Sequence, residues 1–525
     1  MPTALIRDLI AAHGGNEPET FQFLTEFEPE VSWFHQLFSV DLRALSLLRI
    51  FLGIVSILFV FLQFSDAEML YSDQGILPRS LNQQWLGSGF WSVLWINGTF
   101  GFARTILCAT GVVAFIFAFG YQTKIMNFLL LVLLWSIQVR NPLIMTGGDV
   151  LLRMLLFWSL FLPTHSIWSF DSSQMEKRPD SLKVASLASA GMILQIVFVY
   201  FFAGLSKLNP FWFSGDAIEY AMHLEMSVKP MGIWLSQYPS VMNLATYATL
   251  FAELSLPFLF FIPRLHHFNR GLLAGFFFFM HVGIWLTLSI GLFSLTAIVA
   301  WIVLIPSDLW NTFFGQPVGF SEKKFYRATS PLAERLSNLI CGAFLILVVG
   351  QNVCSTLGPE WQRRTAIIEL VSRATMTTQQ FHMFSTPPLF SPWFEYNAQL
   401  DTGQRVDVFF PDRTDIVSKP ESVYDYMQTQ NWRRIHWNLI THPVYPPETE
   451  LIYREIRRRL LSSVVKRWNA ENGDNPVLTA ELTCHLDPIR LERPDEQSVQ
   501  FKHHADHKSI WARYRKPEPI ASSSP

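Results

Sequence analysis

Ionisable side chains lie within or at the ends of long apolar runs at six positions: Arg49, Asp149, Arg153, Lys207, Glu253 and His281. A charged side chain in hydrocarbon costs about 2.5–3.5 kcal/mol even on lenient insertion scales. Each of the six therefore has either a structural partner or a role in a site. Lys207 ends an apolar run just before Pro210. Desolvation at that point favours the neutral amine, which is the form of lysine that acts as a base.

Each position also has a structural interpretation. Long basic side chains often reach the membrane surface or pair with an acid, so Arg49 has Asp41 as a candidate partner. Lys207 is also suited to be an interface anchor whose ammonium reaches the outer headgroups. A single intramembrane histidine such as His281 is more often a helix–helix hydrogen-bonding group than a ligand. Glu253 is equally compatible with a structural partner and with a site group.

Asp149 and Arg153 are four residues apart, so a helix places them on one face. The spacing predicts an ion pair that fixes helix packing. Other motifs are weak. The cluster of His503, His504 and His507 lacks the four spaced ligands of a structural zinc site, so no metal site is predicted. The sequence also contains no phosphate-binding loop, dinucleotide fingerprint or serine nucleophile elbow.

The composition indicates the class of protein that holds these residues. Of 525 residues, 50% are hydrophobic and only 16% are charged, against about 25% charged in ordinary soluble domains. The net charge of -2 lacks the basic footprint of a nucleic-acid-binding protein. Four cysteines in this length do not form a disulfide framework. We conclude that the chain is an integral membrane protein.

Apolar runs long enough to cross a bilayer, which takes about 20 helical residues, predict about nine spans. The candidate runs are 42–64, 104–121, 124–139, 149–163, 183–207, 244–263, 271–306 counted as two, and 336–354. Lys and Arg are concentrated in the loops on the side of the N-terminus, which places that terminus in the cytoplasm. An odd number of spans then places the C-terminal part outside.

The composition changes after about residue 356, where charged residues become frequent and long apolar runs stop. Residues 394–410 read as a β-hairpin around Asp401-Thr402-Gly403, 447–469 as a helix and 477–486 as a strand. The predicted fold is an all-α polytopic membrane protein with a small C-terminal extracytoplasmic α+β domain. Its predicted parts are a cytoplasmic segment (1–40), a transmembrane domain (41–356), an outer domain (357–515) and a disordered tail (516–525).

Several separated segments resemble the vitamin K-dependent gamma-glutamyl carboxylases and their bacterial relatives, which share the horizontally transferred transmembrane (HTTM) domain. The most specific is Tyr200-Phe-Phe-Ala-Gly-Leu-Ser-Lys207-Leu-Asn with Trp212 and Gly215 after it. Further matches are Phe278-Phe-Met-His281, Ser289-Ile-Gly-Leu-Phe-Ser294, Trp168-Ser-Phe-Asp171, and Asp41, Arg49 and Gly53 in the first run. The stretches 141–149 and 383–393 resemble the bacterial branch, which implies a bacterial inner membrane.

The resemblance implies a reaction as well as a fold. In that family a lysine acts as base on reduced vitamin K, and oxygen turns the quinol into an alkoxide. The alkoxide removes a proton from a protein glutamate, and carbon dioxide adds to the carbanion. The implied catalytic residues are Lys207 as base, His281 and, in a tentative role, Asp149. Phe202, Trp212 and Glu253 are the implied contacts of the vitamin K or another quinol, which would arrive through membrane lipid.

One departure from the family concerns an Asn-His pair just before the fourth span, which serves the carboxylase active site. The matching positions here are Gly147 and Gly148, followed by Asp149. Three functions therefore stand side by side. The first is an enzyme of the carboxylase type that acts on a secreted or periplasmic protein; the sequence favours an enzyme over a non-enzyme without favouring glutamate carboxylation itself. Alternatively the chain is a quinone- or lipid-binding protein without that activity, or a non-catalytic scaffold whose outer domain binds a partner.

Overall fold

The structure is a computed structural model of the chain. It describes residues 33–176, 179–262, 266–315, 325–326, 330–381, 384–413, 415–440, 447–491 and 507–516. The predicted cytoplasmic segment up to residue 32, His503, His504 and the predicted disordered tail from residue 517 lie outside these residues.

Helices make up most of the described chain. Those before residue 300 are α1 Trp33–Phe38, α2 Leu42–Phe64, α3 Ala67–Tyr71, α4 Arg79–Leu86, α5 Phe100–Phe119, α6 Thr123–Arg140, α7 Gly147–Ser159, α8 Phe170–Ser173, α9 Leu187–Ser206, α10 Pro210–Phe213, α11 Ala217–Met222, α12 Pro230–Ser236, α13 Pro239–Leu259, α14 His266–Thr287 and α15 Phe293–Trp301. The later ones are α16 Ser307–Phe314, α17 Pro331–Leu357, α18 Pro359–Arg364, α19 Ala366–Ala374, α20 Val423–Tyr426, α21 Gln430–Leu439 and α22 Pro447–Glu471. Short 3-10 turns occur at Val93–Trp95, Pro142–Ile144 and Ile302–Leu304.

Within the described ranges, six helices are long and apolar enough to cross a membrane: α2, α5, α6, α9, α14 and α17. The segment 293–304 with α16 forms a seventh candidate that is bent by 95°. The predicted count of nine is therefore not confirmed. Helix α7 has 13 residues and spans about 20 Å at 1.5 Å per residue, which is too short for a bilayer. Helix α13 has 21 residues but is less apolar, because residues such as Asn243 and Glu253 interrupt it.

Helix α9 is the most buried of the membrane-crossing candidates, and it packs against α7, α13 and α17. Small residues allow the neighbouring elements to approach it. A Cβ on Gly191 would lie 2.4 Å from the Trp158 ring of α7, so only glycine fits at this crossing. In the same way Gly53 of α2 packs against the backbone of α5, where its Cβ would meet Ala118. Close backbone approach at small residues is the usual way in which membrane helices pack.

Two sheets accompany the helices. Strands β1 (Val40–Asp41) and β2 (Lys183–Val184) form a short antiparallel pair before α2 and α9. Strands β3 (Phe390–Leu400), β4 (Arg405–Asp407), β5 (Val477–Pro488) and β6 (His507–Arg515) form an antiparallel sheet in the order β4-β3-β5-β6. The predicted hairpin, helix and strand of the C-terminal part are confirmed as β3–β4, α22 and β5. This part is the small α+β region that the sequence predicts.

The C-terminal part is attached to the membrane-crossing part by side chains of α21. Asn431 donates to the Leu62 carbonyl at 2.9 Å, near the end of α2. Asn438 donates to the carbonyl of Leu143 at 2.6 Å, in the turn before α7. Since both acceptors are backbone atoms of the membrane-crossing part, α21 holds the two parts in one fixed arrangement.

His436 of α21 predicts a pH dependence of stability. Its Nδ1 donates to the Trp432 carbonyl at 2.7 Å, and its Nε2 lies 2.7 Å from the Tyr396 hydroxyl, which donates to it when the ring is neutral. Burial lowers the pKa of His436 from its usual 6.5 to about 4. The unfolded chain therefore takes up this proton first as the pH falls. Stability that is complete above pH 6.5 is lost by up to about 3 kcal/mol as the pH falls toward 4.

We expect the melting temperature of the purified protein to fall between pH 7 and pH 4.5. His436→Gln keeps one donor and one acceptor but does not titrate, so its melting temperature should fall less over the same range. If the melting temperatures of the two proteins fell equally with pH, His436 would not be the group that causes the pH dependence.

Candidate functional site

Lys207 lies at the C-terminus of α9 and is buried. Its Nζ is 2.7 Å from Oε2 of Glu253 on α13, with the two side chains 3% and 10% exposed. The same Nζ donates to the Ala203 carbonyl at 3.4 Å. The ammonium thus neutralises a buried carboxylate and satisfies a carbonyl at the helix end, where a positive charge is favourable. An ion pair requires Lys207 to be protonated, whereas the base of the implied reaction must be neutral.

Gly204 explains why Glu253 reaches Lys207. A Cβ on Gly204 would lie 3.1 Å from the backbone carbonyl carbon of Glu253, so α9 and α13 cross here at nearly the closest possible distance. Gly204 and Lys207 are three residues apart and therefore lie on neighbouring positions of the same helical face. The crossing brings the Glu253 side chain onto the end of α9.

The loop after Lys207 is fastened to the C-terminal part. The indole of Trp212 lies under the Lys207 ammonium, with Nζ 5.3 Å from the ring centroid, a geometry that attracts a cation. Trp212 Nε1 donates to the carbonyls of Phe384 and Ser385 at 3.1 and 3.0 Å. Asn209 donates to the same Ser385 carbonyl at 2.7 Å. The surroundings of Lys207 are thus held by both parts of the chain.

His281 of α14 belongs to a chain of aromatic hydrogen bonds. The Tyr200 hydroxyl lies 2.7 Å from His281 Nε2 and accepts from Trp301 Nε1 at 2.7 Å. The Tyr200 oxygen thus connects the indole of Trp301 with the imidazole of His281. His281 is 1% exposed. Among the described residues this hydrogen-bonded chain joins α9, α14 and α15, in agreement with the structural interpretation of an intramembrane histidine.

Asp149 is a helix-capping residue. Its carboxylate accepts from the backbone N–H of Thr146 at 2.7 Å and from the Thr146 hydroxyl at 2.9 Å, which forms a capping box at the start of α7. The predicted ion pair with Arg153 is wrong. Arg153 points instead to Gln138 Oε1 at 2.5 Å and to the Thr378 carbonyl. The capping box holds the carboxylate at the helix N-terminus, while Arg153 extends toward the C-terminal part.

The position where the family has histidine contains no room for a side chain. A Cβ on Gly148 would lie 2.5 Å from the Phe293 Cα and 2.7 Å from the Phe293 nitrogen. Both atoms are backbone atoms at the start of α15, so neither can rotate away. The packing of α7 on α15 therefore leaves room only for glycine at position 148.

The remaining predicted residues are buried as well. The Arg49 guanidinium donates to the carbonyls of Ala118, Thr164 and Trp168 and does not pair with Asp41. Asp41 binds Arg43 at 2.8 Å instead. Phe202 is 6% exposed.

Phe202 packs among neighbouring rings, with centroids 5.7 Å from Phe198 and 5.5 Å from Phe201. Phe202 and Lys207 are both buried in this arrangement.

The structure thus gives a role to residues for which the sequence argument proposed none, chiefly Tyr200, Trp301, Gly204 and Phe293. The spacing of Tyr200 could have indicated its role. It precedes Lys207 by seven residues, or two helical turns, and so lies on the same face of α9. Trp301 and Phe293 are brought to the site by the chain reversal between α14 and α15, which no local spacing reveals.

Comparison with known proteins identifies the relatives of the chain. Lipase maturation factor 2 of Xenopus tropicalis is 24% identical over 234 residues, which is 40% of this chain and 32% of that protein. The chain therefore matches about a third of the length of this curated relative. No solved structure matches this chain. The family model of the HTTM domain matches residues 39–310, just over half of the chain. This membrane protein, with its buried Lys207–Glu253 pair in the matched region, belongs to the HTTM domain family.

Proposed function

We propose that this protein is a non-catalytic membrane component that supports the maturation of an exported protein, with the C-terminal part facing that partner. The observation that carries the proposal is the buried ion pair between Lys207 and Glu253. The amine that the family's reaction needs as a free base is already bound to the Glu253 carboxylate at 2.7 Å and to the Ala203 carbonyl at the helix end. In this arrangement Lys207 has a structural function.

The packing of Gly148 supports the same proposal. The backbone of Phe293 occupies the space that the carboxylase histidine needs. Two groups that the family's reaction uses therefore differ here. The base lysine is bound in a pair with Glu253, and the histidine position is a glycine packed against Phe293.

The relative supports the kind of partner. It is a lipase maturation factor, and its similarity with this chain extends over 234 residues. We therefore infer an exported hydrolase such as a lipase as the class of protein that this chain assists. Membrane lipid is the second implied partner, since the candidate spans expose large apolar side chains such as Phe61, Phe115 and Phe279.

The proposal includes an orientation. The Lys and Arg bias of the loops supports an N-terminus in the cytoplasm and a C-terminal part in the extracytoplasmic space. The resemblance to the bacterial branch supports an inner membrane. This orientation places the sheet of β3 to β6 on the side where an exported protein folds.

A carboxylase-type enzyme is the second candidate, because Lys207 has a carboxylate at 2.7 Å that could take its proton. The substrates of that candidate are reduced vitamin K or another quinol, oxygen, carbon dioxide and a protein glutamate. It requires the packed side chains around Lys207 to open.

The test uses membranes of cells that produce a secreted lipase, with and without this protein. Lys207→Met/Glu253→Leu removes both charges and keeps the volume of the pair. We expect wild type and the double variant to raise lipase activity per secreted lipase molecule equally. We expect neither to incorporate labelled carbon dioxide into protein glutamate with reduced vitamin K and oxygen. Incorporation that needs Lys207 would establish the carboxylase instead, and unchanged lipase activity with wild type would overturn the proposal.

A further inference from the structure

A cavity of about 320 Å³ lies where the C-terminal part meets the membrane-crossing helices. Its wall comes from the start of α7, the loop after α11, the turn between α14 and α15, the segment 384–388 and one face of α21. This volume is within the range of small-molecule sites. Helix α14 ends at Thr287, so the cavity lies at the level where this candidate span leaves the membrane.

Two arginines of α21 line this cavity. The Arg433 guanidinium lies 4.0 Å from the centroid of the Tyr424 ring and donates to the Tyr424 carbonyl at 3.1 Å. Arg434 donates to the Met145 carbonyl at 3.0 Å. In both residues the Nε is buried and has no hydrogen-bond acceptor within the described chain. Two guanidinium groups thus line one cavity, and each has a donor without an acceptor among the described residues.

Two carboxylates lie near the arginines without forming a direct ion pair with them among the described residues. Asp149 is near enough to attract Arg434, and Asp425 near enough to attract Arg433. Neither carboxylate forms an ion pair with these arginines in the part of the chain that the structure describes. A buried charge normally has a paired counter-charge, because desolvation without one is costly. The positive charge of the cavity is therefore available to a ligand.

Two helix N-termini lie at the cavity, and the one of α21 adds to its positive potential, whereas that of α7 already holds the Asp149 carboxylate. Thr146 and Gly147 are the N-cap and first residue of α7, and both line the cavity. Gln430 begins α21 and also lines it. The Gln430 Oε1 accepts from the Ser289 hydroxyl at 2.9 Å, so its amide nitrogen remains as a donor. Helix N-termini carry partial positive charge and bind anions.

The opposite wall is apolar. It includes Leu224, Met226, Leu288, Phe293 and Pro388. An inorganic anion alone would leave this wall without a contact, whereas an apolar group attached to the anion would cover it. The wall also adjoins the end of a candidate span, so a molecule dissolved in the membrane can reach it.

From this arrangement we propose that the cavity binds an amphiphile with an anionic head group, its phosphate or carboxylate on Arg433 and Arg434 and its apolar chain along Met226 and Phe293. The site is independent of the partner protein proposed above. Its wall combines residues of the membrane-crossing part with residues of α21, so the site needs both parts of the chain.

The test is a binding titration of the purified full chain in discs of zwitterionic phosphatidylcholine. The probe is dodecyl phosphate, compared with dodecanol, which lacks the charge, and with inorganic phosphate, which lacks the chain. We expect dodecyl phosphate to bind and both comparison molecules to bind at least tenfold more weakly. Arg433→Gln/Arg434→Gln should weaken dodecyl phosphate at least tenfold, while Arg454→Gln, on the exposed side of α22, should not change it.

Ala221→Phe provides a second variant that places a ring in the cavity and leaves both arginines intact. It should also weaken dodecyl phosphate at least tenfold, which keeps the test valid if the double arginine variant does not fold. Absence of binding to wild type would overturn the proposal. Equal binding of inorganic phosphate or dodecanol, or full binding by a folded Ala221→Phe protein, would also overturn it.

Discussion

Glu253→Gln is expected to lower the free energy of unfolding by about 3–5 kcal/mol, because it leaves the Lys207 ammonium buried without its carboxylate. Lys207→Met should have a similar effect by leaving the Glu253 carboxylate unpaired. The Lys207→Met/Glu253→Leu protein should recover a large part of the loss, because no unpaired charge remains. Denaturant unfolding of wild type, Lys207→Met, Glu253→Leu and Lys207→Met/Glu253→Leu in one detergent gives the coupling energy of the pair by a double-mutant cycle.

Lys229 provides a matched control for this cycle. It donates to the Trp285 carbonyl at 2.6 Å and lies 5.2 Å from the Trp285 ring centroid, at an exposed site. Lys229→Met therefore loses the same kinds of contact except the carboxylate, and we expect a change below about 1 kcal/mol. If Glu253→Gln were as stable as this control, the ion pair would not be a structural element. The interpretation of Lys207 as a mobile base would then regain support.

Gly148 is the position with the second large expected effect. Gly148→Ala places a Cβ 2.5 Å from the Cα of Phe293. Because backbone atoms of α7 and α15 must then move apart, we expect a loss of about 1–3 kcal/mol or more. Gly148→His should lose more, since the whole ring needs space. The melting temperature of both variants in detergent measures the effect.

The control for Gly148 is another glycine of a membrane-crossing helix, Gly275 of α14. A Cβ there would meet nothing within 4 Å. Gly275→Ala should leave stability unchanged or raise it by up to about 1 kcal/mol, because alanine is the better helix former. Gly148→His should also incorporate no labelled carbon dioxide. A stable Gly148→His protein that incorporates the label would show that the missing histidine alone separates this chain from the carboxylases.

Local patterns in the sequence were sufficient for much of the fold. The apolar runs at 42–64 and 183–207 correspond closely to α2 and α9, because hydrophobic length is read directly from consecutive residues. The run at 149–163 also predicts a span, but only 13 of its residues and their neighbours form helix α7. The Thr146–Asp149 capping box begins this helix, and nearly all of its residues are buried. Apolar composition alone does not distinguish contact with lipid from contact with protein.

The site shows the same division. The sequence by itself determined that Lys207, Glu253 and His281 lie in apolar surroundings and need partners, because the cost of an unpaired polar group depends mainly on residue type. Only the tertiary structure decided the partners. Lys207 meets Glu253 because α9 and α13 cross at Gly204, and His281 meets Tyr200 because α14 packs beside α9.

The cavity beside α21 is a feature that only the tertiary structure decided. Arg433 and Arg434 stand in a charged stretch that reads as an ordinary soluble surface. Docking of α21 on the membrane-crossing helices turns that surface into the wall of a cavity. Helix crossings and domain contacts join residues that are tens to hundreds of positions apart, and their geometry depends on all the side chains in the interface. The sequence therefore determined which residues need partners, and the packing of the helices decided which partners they have.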